Sequence, residues 1–279
     1  MSARNPGHQG LTRAELLREM GLGPQWCLRA QASVESATQA ALGAPAADDR
    51  RQEVAAGAAA VASAVLQPPA NRAAAIAAMG WEQLQQSVAA CRACGLCQAR
   101  RQAVLGVGDV NADWLFIGEG PGAEEDARGE PFVGPAGQLL DAMLEAIDLR
   151  RGKNVYIANA VKCRPPGNRT PEAAEMATCA PYLQRQIALI RPRLIVLLGR
   201  AAAHSVLGEA GSLASLRGKP FAYRETDSAG AGIPVVVSYH PAYLLRTMSD
   251  KAKAWEDLCR ARALLRAAKS EEPAEPPSH

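Results

Sequence analysis

Residues 114–122, Trp114-Leu115-Phe116-Ile117-Gly118-Glu119-Gly120-Pro121-Gly122, join an unbroken apolar run to a turn built from glycine and proline. That pattern predicts a strand buried on both faces and ended abruptly. Working outward, apolar runs at 155–161, 194–198 and 235–237 alternate with helical stretches near 136–147, 171–190, 200–207 and 251–267. Continuous apolar strands flanked by helices predict a three-layer α/β/α fold around a central, mostly parallel four-stranded sheet. In such sheets ligands bind beyond the carboxyl ends of the strands. The strand ends are therefore where chemistry should be sought.

The first end places Glu119 among Gly118, Gly120 and Gly122, so the backbone can approach a flat ligand with an acid beside it. A phosphate loop fits poorly, because its Lys-Ser/Thr pair is missing and Glu124-Glu125-Asp126 would repel a phosphate. The following loop, Pro131-Phe132-Val133-Gly134, holds one of only three phenylalanines in the chain. An aromatic there suits stacking on a base, with a core plug as the plainer alternative. Asn159 ends the second strand. Its amide both donates and accepts and so matches a pyrimidine edge, although asparagine at a strand end is also a common cap.

The last strand runs into His240-Pro241-Ala242-Tyr243-Leu244-Leu245-Arg246. A histidine at that position can stabilise an oxygen that gains charge. The apolar tip followed by a cation suits a wedge into a duplex with the arginine on phosphate. One such histidine alone would more often be structural, but four features at strand ends reinforce one another.

Cys91, Cys94 and Cys97 face Cys163 and Cys179 farther along the chain, and this pattern asks for a metal. A disulfide framework is disfavoured by the odd count of seven cysteines, the length of the chain and the lack of a signal-like N-terminus. All-thiolate sites hold either structural zinc or iron and sulfur, and spacing does not separate them. The C-x-x-x-C-P continuation of bacterial ferredoxins is absent, so Cys163 and Cys179 must complete the set.

Of 279 residues, 48% are hydrophobic, enough for one sizeable core. The net charge of +3 permits a nucleic-acid partner without demanding one. Residues 1–84 are rich in Ala, Gln, Arg and Pro, and read as a largely disordered extension. Within it, Leu11, Leu16, Leu17 and Met20 fall near one face of a short helix at 12–20, a docking element for a partner protein. Residues 85–268 form the expected domain and 269–279 a disordered tail. No stretch suits a membrane span, and a cytoplasmic protein is expected.

Taken together, Gly118 to Gly122, Pro131 to Gly134, Asn159 with Lys162-Cys163-Arg164-Pro165-Pro166, and His240 to Arg246 resemble family 4 uracil-DNA glycosylases. These are the iron-sulfur members of the uracil-DNA glycosylase superfamily, and the likeness covers residues 85–268. It implies a monofunctional DNA glycosylase that flips uracil out of DNA and hydrolyses its N-glycosidic bond, leaving an abasic site and initiating base excision repair. It further implies that Gly118 and Gly120 admit the base, that Phe132 stacks on it and that Asn159 reads its O4 and N3 edge. His240 would stabilise charge on uracil O2, and Glu119 would position water or stabilise the sugar cation. Gly120 stands where some related families place a catalytic Asp. Arg164, Arg169, Tyr243, Leu244 and Arg246 are the expected DNA contacts.

The family's 4Fe-4S cluster maps onto Cys91, Cys94, Cys163 and Cys179, and Cys97 departs from the pattern. The partners implied are uracil-containing DNA, single- or double-stranded, and a repair or replication protein met through the N-terminal arm. The chain is expected to act as a monomer. Two other readings come from the same superfamily or fold: a covalent trap for uracil-DNA and a non-catalytic DNA-binding module. The trap needs an inserted Arg-Arg-Ile-His-like loop, which this chain lacks.

Overall fold

The computed structural model describes residues 70–208, 211–224 and 232–270. The expected helix at 12–20 lies outside them. The four apolar runs form strands β2 (Trp114–Gly118), β3 (Val155–Asn159), β4 (Leu194–Leu198) and β6 (Ile233–Ser238), all parallel. The sheet has six strands rather than four, in the order β1-β3-β2-β4-β6-β5. The two added strands, β1 (Val107–Gly108) and β5 (Phe221–Tyr223), are antiparallel edges too short to leave a periodic signal.

Alternation along each strand explains the continuous apolar runs. Leu115, Ile117, Ala158, Ile195, Leu197, Val235 and Val237 face one side of the sheet, packed by α5 (Ala173–Ile190) and α6 (Arg200–Leu207). Trp114, Phe116, Val155, Ile157, Leu194, Val196 and Val236 face the other, covered by α4 (Pro135–Glu145) and α9 (Lys251–Ser270). Both faces are therefore dry, as a parallel sheet requires.

The folded body begins before the expected boundary at residues 84/85. Helices α1 (Ala70–Ala77) and α2 (Trp81–Ala90) pack Ile76, Leu84 and Val88 into a cluster with Val161, Cys163, Cys179 and Tyr182. An alanine-rich helix needs few large side chains when those few are buried, so composition alone conceals it. At the other end α9 runs to Ser270, just past the expected start of the tail. Among the described residues no helix is long and apolar enough to cross a membrane.

The chain starts the parallel sheet at β2, adds β3 on one side and β4 and β6 on the other. The connections therefore diverge between β2 and β4, and the crevice outside their carboxyl ends is the site that topology dictates.

Candidate active site and thiol cavity

A cleft of ≈ 720 Å³ opens at that divergence, lined by Glu119, Phe132, Asn159, Gly199, His240 and Arg246 among others. Its size is that of a small-ligand site. Register explains how its parts meet, because Gly118 sits directly opposite Asn159 in the sheet. A side chain on Gly118 would place Cβ 2.5 Å from Asn159 Oδ1 and 2.5 Å from Phe132 Cζ. Glycine is needed so that both groups can close over the strand end. Asn159 is buried, and among the described residues its Oδ1 has no hydrogen-bond partner. A buried polar atom left without a partner is costly, and here it faces the cleft where a ligand can satisfy it.

Phe132 holds a left-handed backbone, φ 55°, which for a bulky residue costs ~1–3 kcal/mol and persists only when its surroundings enforce it. Three devices do so. Arg151 donates to the carbonyls of Pro131 (2.9 Å) and Phe132 (2.8 Å) while paired with Asp141 at 2.9 Å. Glu125 Oε1 accepts from the amides of Val133 (2.9 Å) and Gly134 (3.1 Å), and its Oε2 from Gly122 (3.0 Å). Gly137 lets the Phe132 carbonyl approach α4 to where a Cβ would stand only 1.8 Å away.

His240 caps the short helix α8 (Pro241–Leu244), its Nδ1 accepting from the Ala242 amide at 3.2 Å. That bond leaves the proton of a neutral ring on Nε2, which is then a donor. Burial, helped by the positive charge of Arg246, pushes its pKa down to about 4 against a weaker opposing pull from Glu125. The imidazole is therefore neutral at physiological pH. Its ring stacks on Phe132, centroids 5.3 Å apart. Gly199, at φ 93°, makes room for it, since a Cβ there would lie 3.1 Å from His240 Cβ.

The expected DNA contacts divide. Arg246 lies exposed on the rim and makes no ion pair among the described residues. Among the described residues Arg164 donates to the Asn168 amide oxygen at 2.7 Å and forms no ion pair. Arg169 reaches the cleft but is paired with Glu175 at 2.7 Å and Glu172 at 3.4 Å. Tyr243 stacks on Tyr239 and donates to Asp250 at 2.6 Å. Leu244 is a correction: it is 1% exposed and belongs to a core cluster with Tyr239 and Ala254. The helical turn at 241–244 rotates it inward, and Leu245, 43% exposed, is the side chain that points out.

Cys91, Cys94, Cys163 and Cys179 line one small cavity, together with Arg72, Arg100, Lys162 and Tyr182. Cys97 lines a different, outer cleft. Arg100 donates to Cys163 Sγ (2.8 Å), Arg72 to Cys91 Sγ (3.8 Å) and the Lys162 amide to Cys179 Sγ (3.3 Å). Burial pushes the Cys163 thiol up to about 12, against the pull of Arg100, and Cys179 up to about 11. Thiols so placed ionise only when positive charge arrives among them. Among the described residues no group of three or more Cys, His, Asp or Glu stands in place to hold a single metal ion.

Sequence reasoning named Glu125, Arg100 and Lys162 only within charged or motif stretches, and gave Arg151 no part at all. Glu125 had a readable signal, since Gly122 followed three residues later by Glu opens α3 (Ala123–Arg128) as a capping pair. For Arg151, far from the loop it clamps, there was none.

The family model described as the uracil DNA glycosylase superfamily matches residues 105–259. The chain is 42% identical over 168 residues to the type-4 uracil-DNA glycosylase of Archaeoglobus fulgidus, covering 59% of this chain and 82% of that protein. It is 42% identical over 188 residues to the type-4 uracil-DNA glycosylase of Thermotoga maritima, covering 66% and 94%. With the type-4 enzyme of Pyrobaculum aerophilum it shares 39% identity over 184 residues, covering 64% and 92%.

Proposed function

Because the chain belongs to the uracil DNA glycosylase superfamily, beside its type-4 members, we propose that the cleft between β2 and β4 is where it excises uracil from DNA. The enzyme is a monofunctional uracil-DNA glycosylase, a hydrolase of N-glycosyl bonds acting in DNA repair. The observation that carries the site assignment is the buried Oδ1 of Asn159, unpartnered among the described residues, in the same cleft as a neutral, Nε2-protonated His240.

The chemistry follows from these groups. The base must leave the stack to reach a cleft of this kind. Asn159 Oδ1 accepts from uracil N3–H and its Nδ2 donates to O4; cytosine presents the opposite pattern and is refused. Phe132 supplies the stacking face. When the bond from C1′ to N1 breaks, its electron pair passes to the uracil ring, and His240 Nε2–H meets the charge that grows on O2. Water adds to C1′, with Glu119 orienting it or stabilising the sugar cation, and releases a proton. The uracil anion takes up a proton as it leaves. Arg164 and Arg246 hold phosphates, while Arg169 braces its loop through Glu175.

Cys91, Cys94, Cys163 and Cys179 fit a 4Fe-4S cluster: four sulfurs around one cavity, with cationic and amide donors aimed at three of them. An all-thiolate set holds iron and sulfur or zinc alike, and the resemblance to the iron-sulfur family favours the cluster. It supplies cross-linking and charge; the hydrolysis moves no electrons. The protein works as a monomer on uracil-containing DNA in the cytoplasm, with the N-terminal arm docking a repair or replication protein.

The deciding experiment incubates the protein with a uracil-containing oligonucleotide and then with alkali. Strand cleavage at the uracil position is the expected result. A covalent adduct or an intact strand would overturn the reading.

A further inference from the structure

One buried cation stands between the thiol cavity and the base-reading amide. Strand β1 pairs with β3 only at Tyr156 and Ile157, so the carbonyl of Asn159 lies beyond the ladder. A buried carbonyl needs a donor. Here it is Lys162 Nζ, at 2.8 Å. The same ammonium donates to Gln186 Oε1 at 2.5 Å, and Gln186 Nε2 donates in turn to the Leu105 carbonyl (3.0 Å) and to the Tyr156 hydroxyl (3.3 Å). Side chains thus continue the hydrogen bonding where β1 stops.

The main chain of Lys162 faces the other way. Its amide donates to Cys179 Sγ at 3.3 Å, its carbonyl accepts from Val104 at 2.8 Å, and the next residue is Cys163. Lys162 is 1% exposed and makes no ion pair with a carboxylate among the described residues. A buried charge requires compensation. The thiols nearest to it along the chain and in space are those of Cys163, its neighbour in sequence, and Cys179, whose Sγ accepts from its amide.

We propose that Lys162 is a positioning residue that couples the thiol cavity to base recognition. Its backbone is fixed by the cysteine side of the protein, and its ammonium fixes the main chain of Asn159. A filled thiol cavity supplies the counter-charge that keeps the ammonium buried, and Asn159 is held at the angle that reads uracil. This rests on the assignments of Asn159 and of the cluster ligands made above. It gives a non-redox centre a part in specificity.

The test uses the full chain as wild type, Lys162→Met and the double variant Lys162→Met/Gln186→Leu, in which two apolar side chains replace the buried polar pair. Iron content is measured alongside two affinities: inhibition by free uracil, and binding to DNA carrying an abasic-site analogue, which has no base to read. Both iron-loaded variants should lose about tenfold or more in uracil inhibition, while abasic DNA binds within about twofold of wild type. Restored packing in the double variant should not restore uracil inhibition. Wild type stripped of iron by a chelator should show the same selective loss, together with faster amide exchange at 159–162, so the answer does not depend on either variant folding. Undiminished uracil inhibition in the stripped enzyme or in either variant, or equal loss of both affinities, would overturn the proposal. If wild type excises no uracil at all, the functional reading fails instead.

Discussion

Phe132 and His240 lie ring over ring, centroids 5.3 Å apart and planes 29° apart, although one belongs to the loop before α4 and the other to the end of β6. On the roles proposed for them, the group that stacks on the base and the group that receives its charge are fixed relative to each other before substrate arrives. Such preorganisation is where electrostatic catalysis gains most.

His240→Ala should lower the single-turnover rate about a hundredfold while binding of uracil-DNA changes little, because the charge it meets exists only as the bond breaks. Rapid-quench measurement at saturating enzyme separates the two. A loss of affinity with an unchanged saturated rate would make His240 a structural contact.

The pH dependence of stability carries a second signature of the same residue. The folded-state pKa of His240 lies near 4, below the ordinary value of 6.5, so between those values the unfolded chain binds the proton more readily. The contribution is fully present above the ordinary value and is lost as pH falls through the folded one. Urea midpoints of wild type should therefore fall from neutral pH toward about pH 4.5 more steeply than those of His240→Gln. Parallel curves would mean that the imidazole is not buried neutral.

Gly118→Ala inserts a methyl where Asn159 Oδ1 and Phe132 Cζ each stand 2.5 Å away. Excision should fall by a factor of about a hundred with the fold retained, at a cost of ~1–3 kcal/mol in stability. Wild-type activity in this variant would show that the two groups need not converge on the strand end.

Leu244 and Leu245 should part company. Leu244→Ala should destabilise the protein by ~2–5 kcal/mol, as expected of a core leucine. Leu245→Ala should leave stability within about 0.5 kcal/mol but weaken action on duplex substrate more than on single strands. Chemical denaturation with paired duplex and single-strand assays checks both.

Cys163→Ser should abolish iron binding and the broad visible absorbance of an iron-sulfur centre, whereas Cys97→Ser should keep both. Stoichiometric zinc in colourless, active wild type would overturn the cluster assignment.

The parallel half of the fold was legible because strands buried on both faces leave unbroken apolar runs, of which Leu194–Leu198 is the plainest. Strand β1 was not, since two residues containing a glycine carry no period. Asn159 and His240 could be picked out because each stands just at or after a strand end, and Phe132 because it sits on a glycine-proline loop; the fold brings all three to one cleft. Leu244 was misread because a single helical turn exchanges the inner and outer faces between neighbours. The pairing of Arg169 depends on which way two glutamates of the next helix point, and a linear pattern does not record that.

The four cavity thiols come from three separate places: the turn after α2, the loop after β3 and the body of α5. A ribosome releases Cys91 and Cys94 long before Cys163 and Cys179. On the proposed ligand set, iron delivered too early finds only half a site, and a complete site exists only once β3 and α5 are in place. On that ligand set, a loaded cluster would mark the chains in which β3, the strand that ends at Asn159, has already folded.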